Sequence, residues 1–390
     1  MDSGQFDDLV KALSASRARR GIVAGLVGGG IASLHDVLAG DARRRRKRHN
    51  VSNEKKRKKK KPKKPKKPKK PTTTPSPTTP SPTTAAPTTT STTTTPAPGV
   101  CGFCQQPVCF LGKWGGFGTG DGSFKFPTGI AVDSSGRVYV ADADNTRVQR
   151  FADDGEFELK WGSEGDDQGQ FLLPLGIAIS SNNAVYVSDG GSNDRVQRFD
   201  PSGFPQVMWG EDGDANGEFD SPIGIGIDGT DRVFVADNGN DRVQRFDPAG
   251  IYQAQWGSSG AGNGQFSSPR GVAVDSTGRV YVADTNNFRI QRFDGDGGFQ
   301  TKWGNFGLGN GQFSAVESLA IDDNDRLYAS DSSSHRIQRF DSEGAYQTQW
   351  GDFGTGDGQF NTPTGIAIGT QGRVYVIDRF NHRVQVFCVT

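Results

Sequence analysis

The sequence predicts an all-β domain over residues 101–390: a six-bladed β-propeller whose blades are four-stranded antiparallel sheets. Three observations predict it. The six tryptophans of the chain, Trp114, Trp161, Trp209, Trp256, Trp303 and Trp350, are spaced 47, 48, 47, 47 and 47 residues apart. An aspartate (Asp142, Asp189, Asp237, Asp284, Asp331, Asp378) and an arginine (Arg147, Arg195, Arg242, Arg289, Arg336, Arg383) keep the same step. Glycine is abundant, at 54 of 390 residues, and methionine scarce, at 2, a bias toward turns over helices. A fixed period of this length is the signature of a repeat architecture.

Each element follows from its residues. In the first unit the strands are 129–133 (GIAVD), 137–142 (RVYVAD), 147–151 (RVQRF) and 156–161 (EFELKW). β-branched and aromatic residues dominate them, as pleated, half-buried surfaces prefer. Gly, Asp, Asn and Ser separate them, where turns need positive φ or a side-chain hydrogen bond. One such unit cannot cover both its faces. Six stacked radially can, and leave only short edges. Trp161 and its equivalents place a large ring where one blade meets the next. Asp142 and Arg147 could pass for chemistry in isolation. Six copies mark them as a structural device, because a catalytic site is normally unique.

The ring closes across the ends of the domain. The sixth unit begins at Pro363 and stops after three strands, while 109–114 (CFLGKW) aligns with 156–161. The N-terminal segment is therefore expected to complete the last blade beside 383–387. That register sets Cys109 opposite Cys388 and predicts a disulfide between them. It would enclose nearly the whole domain, for which chain entropy gives about 4–5 kcal/mol, and it implies an oxidising compartment. Cys101 and Cys104 stand in CGFC. They lack the βαβ context of a redox motif and a second ligand pair for zinc, leaving a local disulfide or a link to another strand.

The runs P-x-G-I-A-V-D, G-R-V-Y-V-A-D and N-x-R-V-Q-R-F, carried in full by Pro127 to Phe151 and recurring six times, resemble the NHL repeat. The resemblance spans about 290 residues. It implies a six-bladed propeller of the kind found in extracellular bacterial sensors and in animal tripartite-motif proteins. The animal proteins also carry a RING zinc domain. No such Cys/His pattern exists here, so ligase activity does not carry over.

Ahead of the propeller the composition changes. Residues 1–71 hold 23 Lys and Arg against 6 Asp and Glu, and the remainder holds 22 against 38. Residues 1–42 read as an export signal: Arg17, Arg19 and Arg20 precede an apolar run from Gly21 to Leu34, resembling a twin-arginine signal and too short to span a bilayer. Residues 43–71 are a basic linker and 72–100 a Thr/Pro-rich stalk. Neither carries apolar periodicity to offset its ordering entropy, so both are expected to be disordered. The basic run suits a solvated linker, a grip on an anionic cell-surface polymer or lipid, or nucleic acid. The acidic balance of the propeller opposes nucleic acid on that domain.

Function is expected where the repeats differ. One ring of variable positions lies between the Pro and Gly of strand one: Thr128, Leu175, Ile223, Arg270, Glu317 and Thr364. A second precedes the repeated Arg: Thr146, Asp194, Asp241, Phe288, His335 and His382. Arg270, Phe288, Glu317, His335, Arg379 and His382 are the ligand-binding candidates. Arg270 is expected to pair with Glu317, and Phe288, His335 and His382 to gather over blades four to six with Arg379 and Phe380. The glycine loops such as 118–122 (GTGDG) read as tight turns, not calcium loops. No nucleophile motif appears, and the propeller's two histidines, His335 and His382, cannot make a three-histidine zinc site. No cofactor and no catalytic residue are therefore expected. The reading is an exported or surface-displayed monomer, without a membrane span, that recognises a protein, peptide or glycan. The alternatives are a metal-dependent hydrolase or lyase at the channel mouth, and a nucleic-acid binder working through the basic tail.

Overall fold

The computed structural model describes Cys101 and residues 106–390. The export-signal-like segment, the basic linker, the stalk and Cys104 lie outside the described residues. Blade one consists of β2 (Ile130–Val132), β3 (Val138–Asp142), β4 (Arg147–Phe151) and β5 (Phe157–Trp161). Blades two to five follow as β6–β9 (Pro174–Trp209), β10–β13 (Pro222–Trp256), β14–β17 (Pro269–Trp303) and β18–β21 (Val316–Trp350). Blade six takes β22 (Pro363–Ile368), β23 (Arg373–Asp378) and β24 (Arg383–Val389) from the C-terminus and β1 (Val108–Gly115) from upstream. Each first strand neighbours the first strand of the next blade, and β22 returns to β2, so the six antiparallel sheets form a closed wheel. No helix among the described residues is long and apolar enough to cross a membrane.

The repeated residues explain the wheel. First strands meet backbone to backbone around the axis. A Cβ at Gly176 would lie 2.0 Å from the Ile223 carbonyl oxygen, and one at Gly224 2.1 Å from that of Arg270. Only glycine permits that approach. Between blades lie apolar clusters, each closed by a tryptophan. Trp161 of blade one meets Phe199 of blade two at 5.8 Å between ring centroids, and it covers Gly203, where a Cβ would come within 2.6 Å of the indole. Phe124, Phe171, Phe219, Phe266, Phe313 and Phe360 are fully buried, each contributing about 1.5–3 kcal/mol.

Closure occurs where the sequence places it. β1 pairs antiparallel with β24 in the register Cys109↔Cys388, Lys113↔Gln385 and Trp114↔Val384. The expected Cys109–Cys388 disulfide is not formed. Cys388 is a free thiol, as is Cys101, while Cys109 is disulfide-bonded with a partner outside the described residues. Directly opposed residues of a ladder keep their Cβ atoms about 4.5–5.5 Å apart, whereas a disulfide draws them to about 3.8 Å. The Cys388 thiol instead donates to the Cys101 carbonyl at 3.5 Å. Burial, together with the neighbouring Cys101, pushes that thiol up to about 12. The wheel is fastened by the β1–β24 ladder and by packing such as Phe110 on Phe387.

Candidate functional site

The loops that join the fourth strand of one blade to the first strand of the next are anchored by the repeated polar residues. In blade six, Asp378 is fully buried. It accepts from Asn361 N at 2.7 Å, Asn381 Nδ2 at 2.9 Å, Arg383 Nε at 2.6 Å and Gln385 Nε2 at 3.1 Å. Arg383 then donates to the carbonyls of Thr355, Gly356 and Gln359. Asp142 and Arg147 repeat this in blade one, pairing at 2.7 Å, with Arg147 holding the carbonyls of Thr119, Gly120 and Ser123. These staples bring the fourth-to-first loops and the second-to-third turns onto one face of the wheel.

The ring preceding the repeated Arg is built for inter-blade contact. Thr146, Asp194, Asp241, Phe288, His335 and His382 all adopt left-handed backbone, with φ from 44° to 56°. Four of them accept a backbone N–H from the following blade: Asp194 from Ser221, Asp241 from Ser268, His335 Nδ1 from Thr362 at 3.0 Å and His382 Nδ1 from Phe126 at 3.1 Å. An accepting Nδ1 places the imidazole proton on Nε2. Burial holds both histidines below the usual imidazole pKa, against the pull of nearby aspartates.

The same ring carries an aromatic arc. Phe288 meets Phe306, His335 meets Phe353 and His382 meets Phe117, each pair about 5 Å between centroids. Phe117, Phe306 and Phe353 stand on the loops leading into blades one, five and six. They are 68%, 65% and 67% exposed, with Leu308 at 73% beside them. The loops leading into blades two and three carry Glu164 and Asp212 at the equivalent position, with Asp166, Asp167, Glu211 and Asp214 exposed around them. The face thus carries phenylalanine on three consecutive loops and acidic residues at the same position on two others, with Ser259 on the sixth. The expected gathering of Phe288, His335 and His382 takes the form of three separate ring pairs along this arc.

At the channel mouth, Arg270 pairs with Glu317 at 2.7 Å with both side chains largely buried, as their spacing suggested. Glu317 also accepts from Ser332 Oγ. Thr128 and Thr364 spend their hydroxyls on the carbonyls of Pro174 and Thr128 in the next blade. Arg379 stands over the Phe380 ring, which meets Phe126 edge-on at 5.5 Å. Among the described residues no group of three or more His, Cys, Asp or Glu side chains converges as metal ligands.

Phe117, Phe306 and Phe353 went unread in the sequence because their loops looked like interchangeable glycine turns. The signal was available: 115–122, 304–311 and 351–358 read GxFGxGxG, while the other three loops carry Glu, Asp or Ser at the phenylalanine position.

The fold and this face define a six-bladed β-propeller with loops specialised on one side. The family description "NHL repeat" matches residues 124–151, 266–293 and 360–387, so the propeller carries NHL repeats. The chain is 39% identical over 54 residues to the B-box type zinc finger protein ncl-1, and 49% identical over 53 residues to protein lin-41, both of Caenorhabditis elegans. Each match covers 14% of this chain and only 6% or 4% of the relative. Among solved structures, a Bacteroides thetaiotaomicron protein of unknown function aligns at TM-score 0.57 and 17% identity, over 73% of this chain and 76% of that one. A Xanthomonas campestris gluconolactonase aligns at TM-score 0.51 and 14% identity, over 68% and 87%. Both likenesses concern the fold alone.

Proposed function

We propose that the propeller is a non-enzymatic binding module that docks a protein or peptide segment across its loop face. The observation that carries this reading is the set of three exposed phenylalanines on the consecutive loops into blades five, six and one. Exposed aromatics on neighbouring loops of a rigid scaffold mark interaction surfaces, because their burial against a partner supplies much of the binding energy. The exposed acidic residues of the same face, Asp121, Asp352 and Asp357 on the phenylalanine loops and Glu164 and Asp212 on the loops into blades two and three, favour a segment in which an apolar side chain is flanked by Lys or Arg, and thus a peptide over a neutral glycan. The twin-arginine-like segment at residues 1–42 supports an exported location. The test is affinity capture with the wild-type chain, a Phe117→Ala/Phe306→Ala/Phe353→Ala variant, and a Phe204→Ala/Ile251→Ala variant. Phe204 and Ile251 are equally exposed but lie on the turns of the opposite face. The partner should be retained by the Phe204/Ile251 variant and lost by the triple variant. Retention by the triple variant would contradict the proposal.

A further inference from the structure

One arginine at the channel mouth lacks the bonds its position calls for. The residue after the repeated Asp is Ala143, Gly190, Asn238, Thr285 and Ser332 in blades one to five. Where it is polar it is bonded: Asn238 and Thr285 tie their blades to the next by donating to the Pro269 and Val316 carbonyls, and Ser332 donates within its own blade to the carbonyl of Ala315. In blade six this residue is Arg379. Its Nε is closed off from solvent and has no hydrogen-bond partner. Six other arginines share an enclosed Nε, and each bonds through a terminal nitrogen, as Arg198 does to Pro248 and Arg373 to Asp153. Among the described residues the Arg379 guanidinium donates to nothing. Arg379 is half-buried: leaving its enclosed Nε–H unpaired is costly, while its terminal nitrogens stay open to an incoming acceptor.

Its surroundings define what would satisfy it. Arg270 is engaged by Glu317. Glu317 and Asp144 both act on the Arg379 charge without bonding it. Phe380 and Phe126 supply an apolar wall. We propose that Arg379 is the anchor of a carboxylate-binding subsite at the channel mouth, distinct from the aromatic arc. A planar guanidinium presents parallel N–H groups that match the two oxygens of a carboxylate. The flanking carboxylates of Glu317 and Asp144 disfavour a second negative charge, which selects a carboxylate over a phosphate. The phenylalanines favour an apolar body behind it. The carboxylate belongs either to a free small acid or to an acidic side chain of a docked segment.

The experiment uses the full chain at constant ionic strength, with calorimetric titration by phenylacetate, by the blocked peptide acetyl-Gly-Glu-Gly-amide, by phenylacetamide and by inorganic phosphate. Saturable binding is expected for at least one of the two carboxylate probes. Phenylacetate alone would assign a free acid and the peptide alone a side chain. Phenylacetamide should not bind, and phosphate should bind more weakly than the carboxylate. Arg379→Gln should weaken binding about tenfold or more, the usual consequence of removing a charge-assisted pair. Glu317→Gln removes a flanking negative charge and should tighten binding several-fold. The proposal is overturned if neither carboxylate saturates, if the amide binds equally, or if Arg379→Gln binds as tightly as wild type. Should Arg379→Gln fail to fold, Glu317→Gln decides, with tightening in support and unchanged or weaker binding against.

Discussion

Replacing Asp378 by alanine should destabilise the propeller by about 3–5 kcal/mol, the usual consequence of breaking a buried ion pair on one side only. The magnitude follows from what Asp378 holds. It loses four hydrogen bonds at once. Arg383, whose side chain is 10% exposed, keeps its three carbonyl partners but not its counter-charge. The matched control is Asp357→Ala. Asp357 pairs with Lys113 at 2.6 Å, yet the two side chains are 55% and 42% exposed. Solvent screening and side-chain entropy reduce such a pair to about 0–1 kcal/mol. Urea unfolding followed by tryptophan fluorescence suits the comparison, since the six indoles sit at blade boundaries. The two variants should separate by at least about 2 kcal/mol. Equal effects, or an Asp378→Ala variant within about 1 kcal/mol of wild type, would refute the staple as the element that fixes the loops.

Other outcomes are expected on the same physical grounds. Gly224→Ala places a Cβ 2.1 Å from a backbone oxygen of the next blade, whereas Gly229→Ala meets nothing within 4 Å. Calorimetry should show a much lower melting temperature for the first and little change for the second. Stability should be flat above about pH 6.5, the unfolded imidazole value, and fall as the pH drops below it. The folded state holds His335 and His382 below that value, so the unfolded state binds protons first. Asp331 and Asp378 near His335, and Asp142, Asp144, Asp378 and Arg379 near His382, set the slope. His335→Asn/His382→Asn should flatten it, which chemical unfolding from pH 5 to 7 would record. Deleting residues 1–115 removes β1 and exposes the β24 edge. Size-exclusion chromatography should then show aggregation where the full chain elutes as one defined species, and an equally well-defined species from the truncated chain would contradict the closure.

The wheel was legible because its causes are local and repeated six times: glycines that admit backbone contact, tryptophans at blade boundaries, Asp–Arg staples. The β1–β24 register followed from alignment alone, since a ladder has only one register that keeps Trp114 beside Val384. The disulfide was misjudged because register fixes which residues are opposite, not whether two sulfurs reach each other. Cys109 found another partner, and Cys388 kept its thiol. The Arg270–Glu317 pair was readable because one repeat period separates the two, placing them on adjacent first strands. The roles of His335 and His382 were not, since their acceptor geometry depends on Phe126 and Thr362, residues of the following blade. The exposed phenylalanines were hidden because exposure is not a property of a loop sequence. Phe117 at 68% exposure and Phe124 at 0% lie seven residues apart in one loop.

The proposed recognition uses the face on which the blades differ. Hydrogen–deuterium exchange of the chain with and without its captured partner tests it most directly. Amides of 115–124, 304–313 and 351–360 should become protected on binding, while the third-to-fourth turns at 152–156, 200–204 and 247–251 exchange unchanged. Protection confined to those turns, with the phenylalanine loops exchanging as before, would contradict the claim.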